Sequence, residues 1–135
     1  MPDYRTLHHK KNFRQHLLGG AAAFMLTVGG LAVCPADVQA NPSGGNVVAG
    51  QATITHNGAT TTIQQHSNRA VIEWNDFSID SGELTQFLQG GGNVAVLNKV
   101  ISSLPSNIAG QLTADGQVYL INPNGVIFGQ GARID

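Results

Sequence analysis

Turn-forming residues divide most of this chain into short segments, and this division limits its possible folds more than any other feature. Each turn supplies a residue that tolerates a positive φ. The intervening runs are rich in Val, Ile and Thr, which is typical of β-strands. We predict strands at residues 51–56, 59–65, 70–74, 93–100, 117–121 and 125–128. The turns between them contain Asn57-Gly58, Ser81-Gly82, Gly90-Gly91-Gly92, Asp115-Gly116 and Asn124-Gly125.

The predicted strands are compatible with more than one arrangement. Residues 94–97 and 118–121 are apolar on both faces, and no helical pattern long enough for a βαβ unit lies between strands. Two architectures fit: a small antiparallel sandwich with hairpins at residues 57–58 and 115–116, and a parallel β-helix with coils of roughly 20 residues. Residues 83–89 fit either a short helix or an edge strand.

The first 40 residues have the pattern of a secretory signal peptide. Residues 1–16 carry four basic side chains against one acid, and residues 17–33 are apolar or small and carry no charge. Val38 and Ala40 occupy the −3 and −1 positions of a cleavage site, so we expect cleavage between Ala40 and Asn41. A transmembrane anchor is disfavoured because the run is shorter than about 20 residues. A lipoprotein acylated on Cys34 is disfavoured by the flanking Val33 and Pro35.

Cleavage would leave a mildly acidic segment without cysteine. It carries three basic residues and six acidic ones, a formal charge of about −3 (3 − 6). No basic patch is available for a nucleic acid or an anionic membrane surface, so neither partner is expected, and no stable membrane span is expected. Without disulfides, stability must come from burial and backbone hydrogen bonds.

No catalytic residue, metal site or cofactor site is predicted, and we expect no enzymatic activity. His56 and His66 are ten residues apart and have no cysteine or carboxylate pair at ligand spacing. The acidic residues Asp76, Asp80 and Glu83 match no calcium-binding spacing and are expected to form a solvated turn.

Trp74, the only tryptophan, has two possible roles. Alternation places it on the same face as Ile72, so core packing is the simpler interpretation, and a predicted core consists of Ile72, Trp74, Leu97, Leu120 and Phe128. An exposed Trp74 would instead stack on sugars. The chain would then be a secreted carbohydrate-binding β module, which is the alternative function.

The sequence Asn122-Pro123-Asn124-Gly125 specifies one rigid corner. Asn at the first position can accept a hydrogen bond from the following backbone, and Pro presets φ at the second. Asn tolerates the third position and Gly the fourth, so a type I turn is predicted. The turn alone does not distinguish a structural corner from a recognition element.

Three ordered segments resemble the N-terminal secretion domain of two-partner secretion exoproteins, the filamentous haemagglutinin and high-molecular-weight adhesin family. They are "GNVVAGQATI", "NRAVIEWNDFSI" and "LNKVISSLPSNIAGQLTADGQVYLINPNGVIFGQGARID". The last contains a Gly-x-Leu-x-x-x-Gly-x-Val segment followed by the family's Asn-Pro-Asn-Gly-Ile/Val motif. That motif falls on Asn122, Pro123, Asn124, Gly125 and Val126.

The resemblance implies a right-handed parallel β-helix over residues 41–135, preceded by a helical signal peptide. It also implies export by the general inner-membrane machinery and recognition in the periplasm by an outer-membrane transporter with periplasmic domains. The product would be secreted to the cell surface of a Gram-negative bacterium. An Asn-Pro-Asn-Leu motif is missing, and Lys99 stands where Arg is common. We also expect the chain to be a fragment without the adhesive shaft.

Overall fold

A computed structural model describes residues 40–135, which contain eleven β-strands and no helix. The predicted helical signal peptide lies outside the described residues. Nothing among the described residues forms a helix long and apolar enough to cross a bilayer. The strands are β1 (Asn46–Ala49), β2 (Ala52–Asn57), β3 (Thr60–Gln65), β4 (Arg69–Trp74), β5 (Leu84–Leu88), β6 (Ala95–Val100), β7 (Ser106–Ile108), β8 (Gln111–Ala114), β9 (Gln117–Ile121), β10 (Val126–Phe128) and β11 (Arg133–Ile134).

The strands form a parallel β-helix of about three turns with three faces. The first face has the strand order β11-β8-β5-β3-β2, and the second has the order β1-β4-β6-β9. The third consists of β10 beside β7, extended by a parallel bridge between Ile79 and Ile108. Each coil visits the three faces in turn, so every strand from β3 onwards pairs in parallel with a strand of the neighbouring coil. The predicted all-β class and parallel β-helix are confirmed.

Antiparallel pairing is confined to the N-terminal end of the stack. Here β2 pairs with β3 on the first face, and β1 pairs with β4 on the second. Antiparallel strands therefore cover the strand edges of the first coil on these two faces. Asn57-Gly58 closes a hairpin, as predicted. Asp115-Gly116 does not, because it joins two different faces. The ambiguous residues 83–89 contain β5, which lies inside the five-stranded face and is not an edge strand.

The coils differ in length, which explains why the sequence shows no strict repeat. Residues paired between coils on the first face are 24, 27 and 22 residues apart, in the pairs Thr60–Leu84, Leu84–Gln111 and Gln111–Arg133. The extra residues lie in the corners. The strands of neighbouring coils therefore stay in register, although the turn residues are unevenly spaced along the sequence.

Parallel register stacks inward-facing residues into columns that form the core. Ile63 lies under Phe87, Ala70 under Val96, and Ile72 under Asn98. Ile72, Trp74 and Phe77 are fully buried, and the Trp74 and Phe77 rings meet edge to face with centroids 5.5 Å apart. Burial of aromatic and branched side chains between coils is the main stabilising term of such a stack.

Asn98 and Gln89 are buried amide side chains that form hydrogen bonds across coils. Asn98 is fully buried; its Oδ1 accepts a bond from Trp74 Nε1 at 2.9 Å, and its Nδ2 donates to the carbonyl of Tyr119 at 3.3 Å. Gln89 Nε2 donates to Gln65 Oε1 at 3.1 Å. These bonds offset the cost of burying amide groups.

Two predicted core residues occupy different environments. Leu97 lies between the inward-facing Val96 and Asn98, so strand alternation turns it to the outer face, where it is half-buried. Phe128 continues the inward column of Ile79 and Ile108, but it lies on the last coil and is 62% exposed. Placing either residue in the core was wrong. Leu120, in contrast, is partly buried and packs against the core.

Candidate functional site

Residues 122–125 form a hydrogen-bonded turn between β9 and β10, at the corner between the second and third faces. The amide of Gly125 donates to the carbonyl of Asn122 at 3.0 Å, and the amide of Asn124 donates to Asn122 Oδ1 at 2.9 Å. Gly125 has a φ of +102°, a value that residues with a Cβ rarely adopt. The hydrogen-bonded turn predicted for these four residues is therefore present.

Both asparagines of the turn also bind the preceding coil. Asn122 Nδ2 donates to the carbonyl of Leu104 at 3.0 Å and to Ser106 Oγ at 2.9 Å. Asn124 Nδ2 donates to the carbonyl of Ser102 at 2.8 Å. The turn thus holds the long corner segment that connects β6 to β7.

The other motif residues complete the corner. Pro123 is exposed at its tip. Val126 begins β10, pairs with Ser106 and packs partly buried against the core. The motif therefore links an exposed turn to a strand of the third face.

Exposed apolar side chains surround this corner. Ile101 and Leu104 belong to the corner of the preceding coil and are 54% and 58% exposed. Ile121 and Ile127 flank the turn and are 51% and 54% exposed. None of the four was predicted to be exposed, and only Ile121 lies in a run described above as apolar on both faces. The signal that could have revealed them is the apolar character of the turn flanks themselves.

A second corner, at Asp115, uses a carboxylate to hold the coil before it. Its Oδ1 accepts a bond from the amide of Gln89 at 2.5 Å, and its Oδ2 accepts one from the amide of Gly90 at 3.0 Å. The bonds from Gln89 and then Gly90 lower the pKa of Asp115, because they stabilise the ionised form. Gly116 is required next to it, since a Cβ there would lie 2.7 Å from the carbonyl oxygen of Val94.

The residues considered for catalysis or metal binding have local structural contacts. His56 and His66 each hydrogen-bond a threonine of the neighbouring strand, at 3.0 and 2.9 Å. Asp76 accepts a bond from the hydroxyl of Ser78, and Glu83 accepts one from the amide of Asp80. Within residues 40–135, no three His, Cys, Asp or Glu side chains are grouped as metal ligands would be.

Residues next to the predicted signal cleavage site are packed against the first coil. Asn41 is 8% exposed, and its Nδ2 donates to the carbonyl of Gly58 at 3.5 Å. Ser43 exchanges backbone hydrogen bonds with Asp76. Residues directly after Ala40 are therefore packed into the fold, and cleavage between Ala40 and Asn41 remains a prediction.

Comparison with known proteins gives consistent matches. A family model described as "TPS secretion domain" matches residues 38–135. A heme/hemopexin-binding protein of Haemophilus influenzae is 42% identical over 94 residues, which cover 70% of this chain and 10% of that protein. A second Haemophilus influenzae protein of the same description is 46% identical over 74 residues, covering 55% of this chain and 8% of its own.

A solved structure agrees with the fold. The crystal structure of the HMW1 secretion domain from Haemophilus influenzae matches with a TM-score of 0.66 and 44% identity, over 70% of this chain and 25% of that one. The chain thus spans about a tenth of the length of the sequence relatives and a quarter of the structural one. The matched family is described as a secretion domain and is not an enzyme family. The chain therefore belongs to the family of secretion domains of two-partner secretion exoproteins.

Proposed function

We propose that residues 41–135 serve as the export signal that the periplasmic domains of an outer-membrane transporter recognise. Residues 1–40 direct the chain through the inner membrane by the general export machinery and are removed between Ala40 and Asn41. The exported product is secreted or displayed at the cell surface. One observation carries the proposal: the family match covers residues 38–135, and the described residues 40–135 form a β-helix.

The type of exoprotein is a separate proposal. We propose an adhesin-like or haemagglutinin-like protein, supported by a solved relative that is itself a secretion domain and by sequence relatives about ten times longer than the matched region. Two relatives are described as heme/hemopexin-binding proteins. Target binding in such a protein would reside outside residues 41–135.

The burial of Trp74 removes the basis of the carbohydrate-binding alternative. Its side chain is fully buried, and the indole N–H is donated to Asn98. An aromatic platform for sugars needs an accessible ring face. Trp74 is therefore a core residue, and no second function is proposed.

A secretion assay tests the proposal. A reporter is fused after Asp135 and expressed with the cognate transporter, with an inactive transporter or with none, and it is then measured in the medium and periplasm. We expect the reporter in the medium only with the active transporter, and cleavage between Ala40 and Asn41 in all three strains. Equal release with and without the transporter would refute recognition, and a retained leader would refute the cleavage site.

A further inference from the structure

Two Asn-Gly pairs occur in the chain, Asn57-Gly58 and Asn124-Gly125. In such a pair the main-chain nitrogen of the glycine can attack the side-chain amide carbon of the asparagine, because glycine has no Cβ to obstruct the approach. In a folded protein this attack also depends on the hydrogen bonds that hold the two reacting groups. These bonds differ between the two pairs.

Asn57-Gly58 lies at the end of the hairpin that joins β2 and β3. Asn57 pairs with Thr60, so Gly58 and Ala59 form a two-residue loop, and the pair and Ala59 are exposed. The bond that closes such a loop joins the flanking residues and does not use the N–H of the first loop residue. Within residues 40–135, neither the Gly58 N–H nor the Asn57 side chain forms a hydrogen bond. No hydrogen bond in this part of the chain therefore restrains either reacting group.

Asn124-Gly125 is exposed as well, but its reacting groups are bound. The Gly125 N–H donates to the carbonyl of Asn122 at 3.0 Å. Asn124 Nδ2, which would be the leaving group, donates to the carbonyl of Ser102 at 2.8 Å and to Asn122 Oδ1 at 3.2 Å. Attack at Asn124 would require these bonds to break first. Hydrogen bonding, and not exposure, therefore distinguishes the two pairs.

We propose that Asn57 is a site of spontaneous deamidation and that Asn124 is protected from the same reaction. The Gly58 nitrogen forms a bond to Asn57 Cγ and gives up its proton, while the Cγ–Nδ2 bond breaks and Nδ2 leaves as ammonia. The product is a succinimide ring, which water then opens. Breaking the bond between Cγ and the nitrogen gives aspartate, whereas breaking the bond between the main-chain carbonyl carbon and the nitrogen gives isoaspartate. Water is the only co-reactant, and it reaches the exposed hairpin.

Either product changes the hairpin that covers the first coil. Both add a carboxylate at residue 57, and isoaspartate also lengthens the main chain where Asn57 pairs with Thr60. The same hairpin holds the segment after the predicted cleavage site, since Asn41 Nδ2 donates to the carbonyl of Gly58 at 3.5 Å. The reaction should therefore loosen this end of the stack as the protein ages.

Peptide mass spectrometry of the full chain tests the proposal. Folded protein purified from the periplasm is incubated at mildly alkaline pH, with a parallel sample in urea, and is digested at intervals. The peptides that contain Asn57 and Asn124 are followed separately for conversion of amide to acid, and isoaspartate is detected by enzymatic methylation. In the folded protein we expect conversion at Asn57 to be faster by about tenfold or more, because only Asn124 must first break hydrogen bonds. In urea the two rates should converge.

Two substitutions serve as controls. Asn57→Gln should nearly abolish conversion at residue 57, because its longer side chain would have to close a larger ring, and it should leave Asn124 unchanged. Asn122→Ala removes the Oδ1 acceptor of the Asn124 amide. It should raise the rate at Asn124 and leave the rate at Asn57 unchanged, which also shows that the variant remains folded.

Three outcomes overturn the proposal. One is conversion at Asn124 as fast as at Asn57, or faster, in the folded wild type. Another is an intact Asn57 in the folded protein while the sample in urea converts, because the hairpin would then protect it. The third is an unchanged rate at Asn124 in Asn122→Ala, since the bonds of the turn would then not be the source of protection.

Discussion

Asn122 shows how one side chain can set the geometry of a whole corner. Each of its hydrogen-bonding positions is occupied, two by the preceding coil and two by its own turn. Replacing Asn122 by Ala would leave Ser106 Oγ, which belongs to a fully buried residue, without this donor. We expect a loss of about 1 to 3 kcal/mol in the free energy of unfolding, measured by urea denaturation of protein purified from the periplasm.

Asn107→Ala is the matched control for this change. Asn107 lies on β7, one residue from Ser106, and in the described part of the chain its side chain makes no hydrogen bond, so unfolding should change little. Equal effects of the two substitutions would show that loss of any asparagine near this corner is sufficient. The bonds of Asn122 would then have no special role.

Asp115 makes the stability of the fold depend on pH in the acidic range. Its pKa is lowered in the folded state, so its stabilising effect is complete above the pKa of the unfolded chain and is lost as pH falls through the folded pKa. The variant Asp115→Asn should therefore be less stable than wild type at pH 6, and the difference should shrink towards pH 3. Urea midpoints at the two pH values measure this, and a difference that stays constant would contradict it.

Predictions about single residues were correct where neighbouring residues in the sequence determine the local structure. The bonding of Asn122 to Asn124 and the positive φ of Gly125 depend on a few neighbouring residues, so the sequence was sufficient. Leu97 and Phe128 failed because their burial depends on more distant chain. The face of Leu97 follows from the register of β6 with β4, and the exposure of Phe128 follows from its position on the last coil.

At the scale of elements, pairing between strands determines conformations that amino-acid composition alone did not predict. The sequence of β5 fits helical spacing, but two parallel neighbours hold it extended. Strands β1, β7, β8 and β11 were not predicted. The last three are short, with two to four residues each, and exist because each pairs with a strand of a neighbouring coil. Short strands of a solenoid are specified by the stack more than by their own propensity.

The N-terminal segment that contains β1 approaches the core closely at Gly45. A Cβ on Gly45 would lie 2.6 Å from the ring of Trp74 and 2.8 Å from Ile54 Cδ1. We expect Gly45→Val to displace β1 and cost about 1 to 3 kcal/mol, as overpacking does. Because Trp74 is the only tryptophan, its fluorescence reports the change: emission should move to longer wavelength and become accessible to iodide.

Gly92→Ala is the control for that substitution. A Cβ at Gly92 would meet nothing within 4 Å, and its φ lies outside the positive range that strains other residues. Its Trp74 emission should equal that of the wild type. If Gly45→Val also leaves emission and quenching unchanged, β1 does not protect the core at this end.

At the scale of residues 40–135 as a whole, the first and last coils of the described stack differ. Antiparallel strands cover the first coil, whereas the last coil surrounds an open cavity of about 300 Å³. Its lining includes Ile108, Leu112, Val118, Leu120, Phe128 and Ile134. An uncovered end exposes both apolar columns and unpaired strand backbone, which favours association. A polypeptide ending at Asp135 should therefore unfold with low cooperativity and form oligomers as its concentration rises.

Charge placed at the open end tests this origin of association. Phe128→Lys with Ile134→Lys should keep the polypeptide monomeric in sedimentation experiments, because two lysines cannot be buried against a second molecule without a large desolvation cost. Ile101→Lys is the control, since Ile101 has a similar exposure, 54%, but lies at the corner between β6 and β7. If Ile101→Lys alone abolishes association, the molecules associate through the corner. If the wild type is monomeric with a sharp, reversible thermal transition, the open end is not a liability, and three coils with one covered end suffice for a cooperative fold.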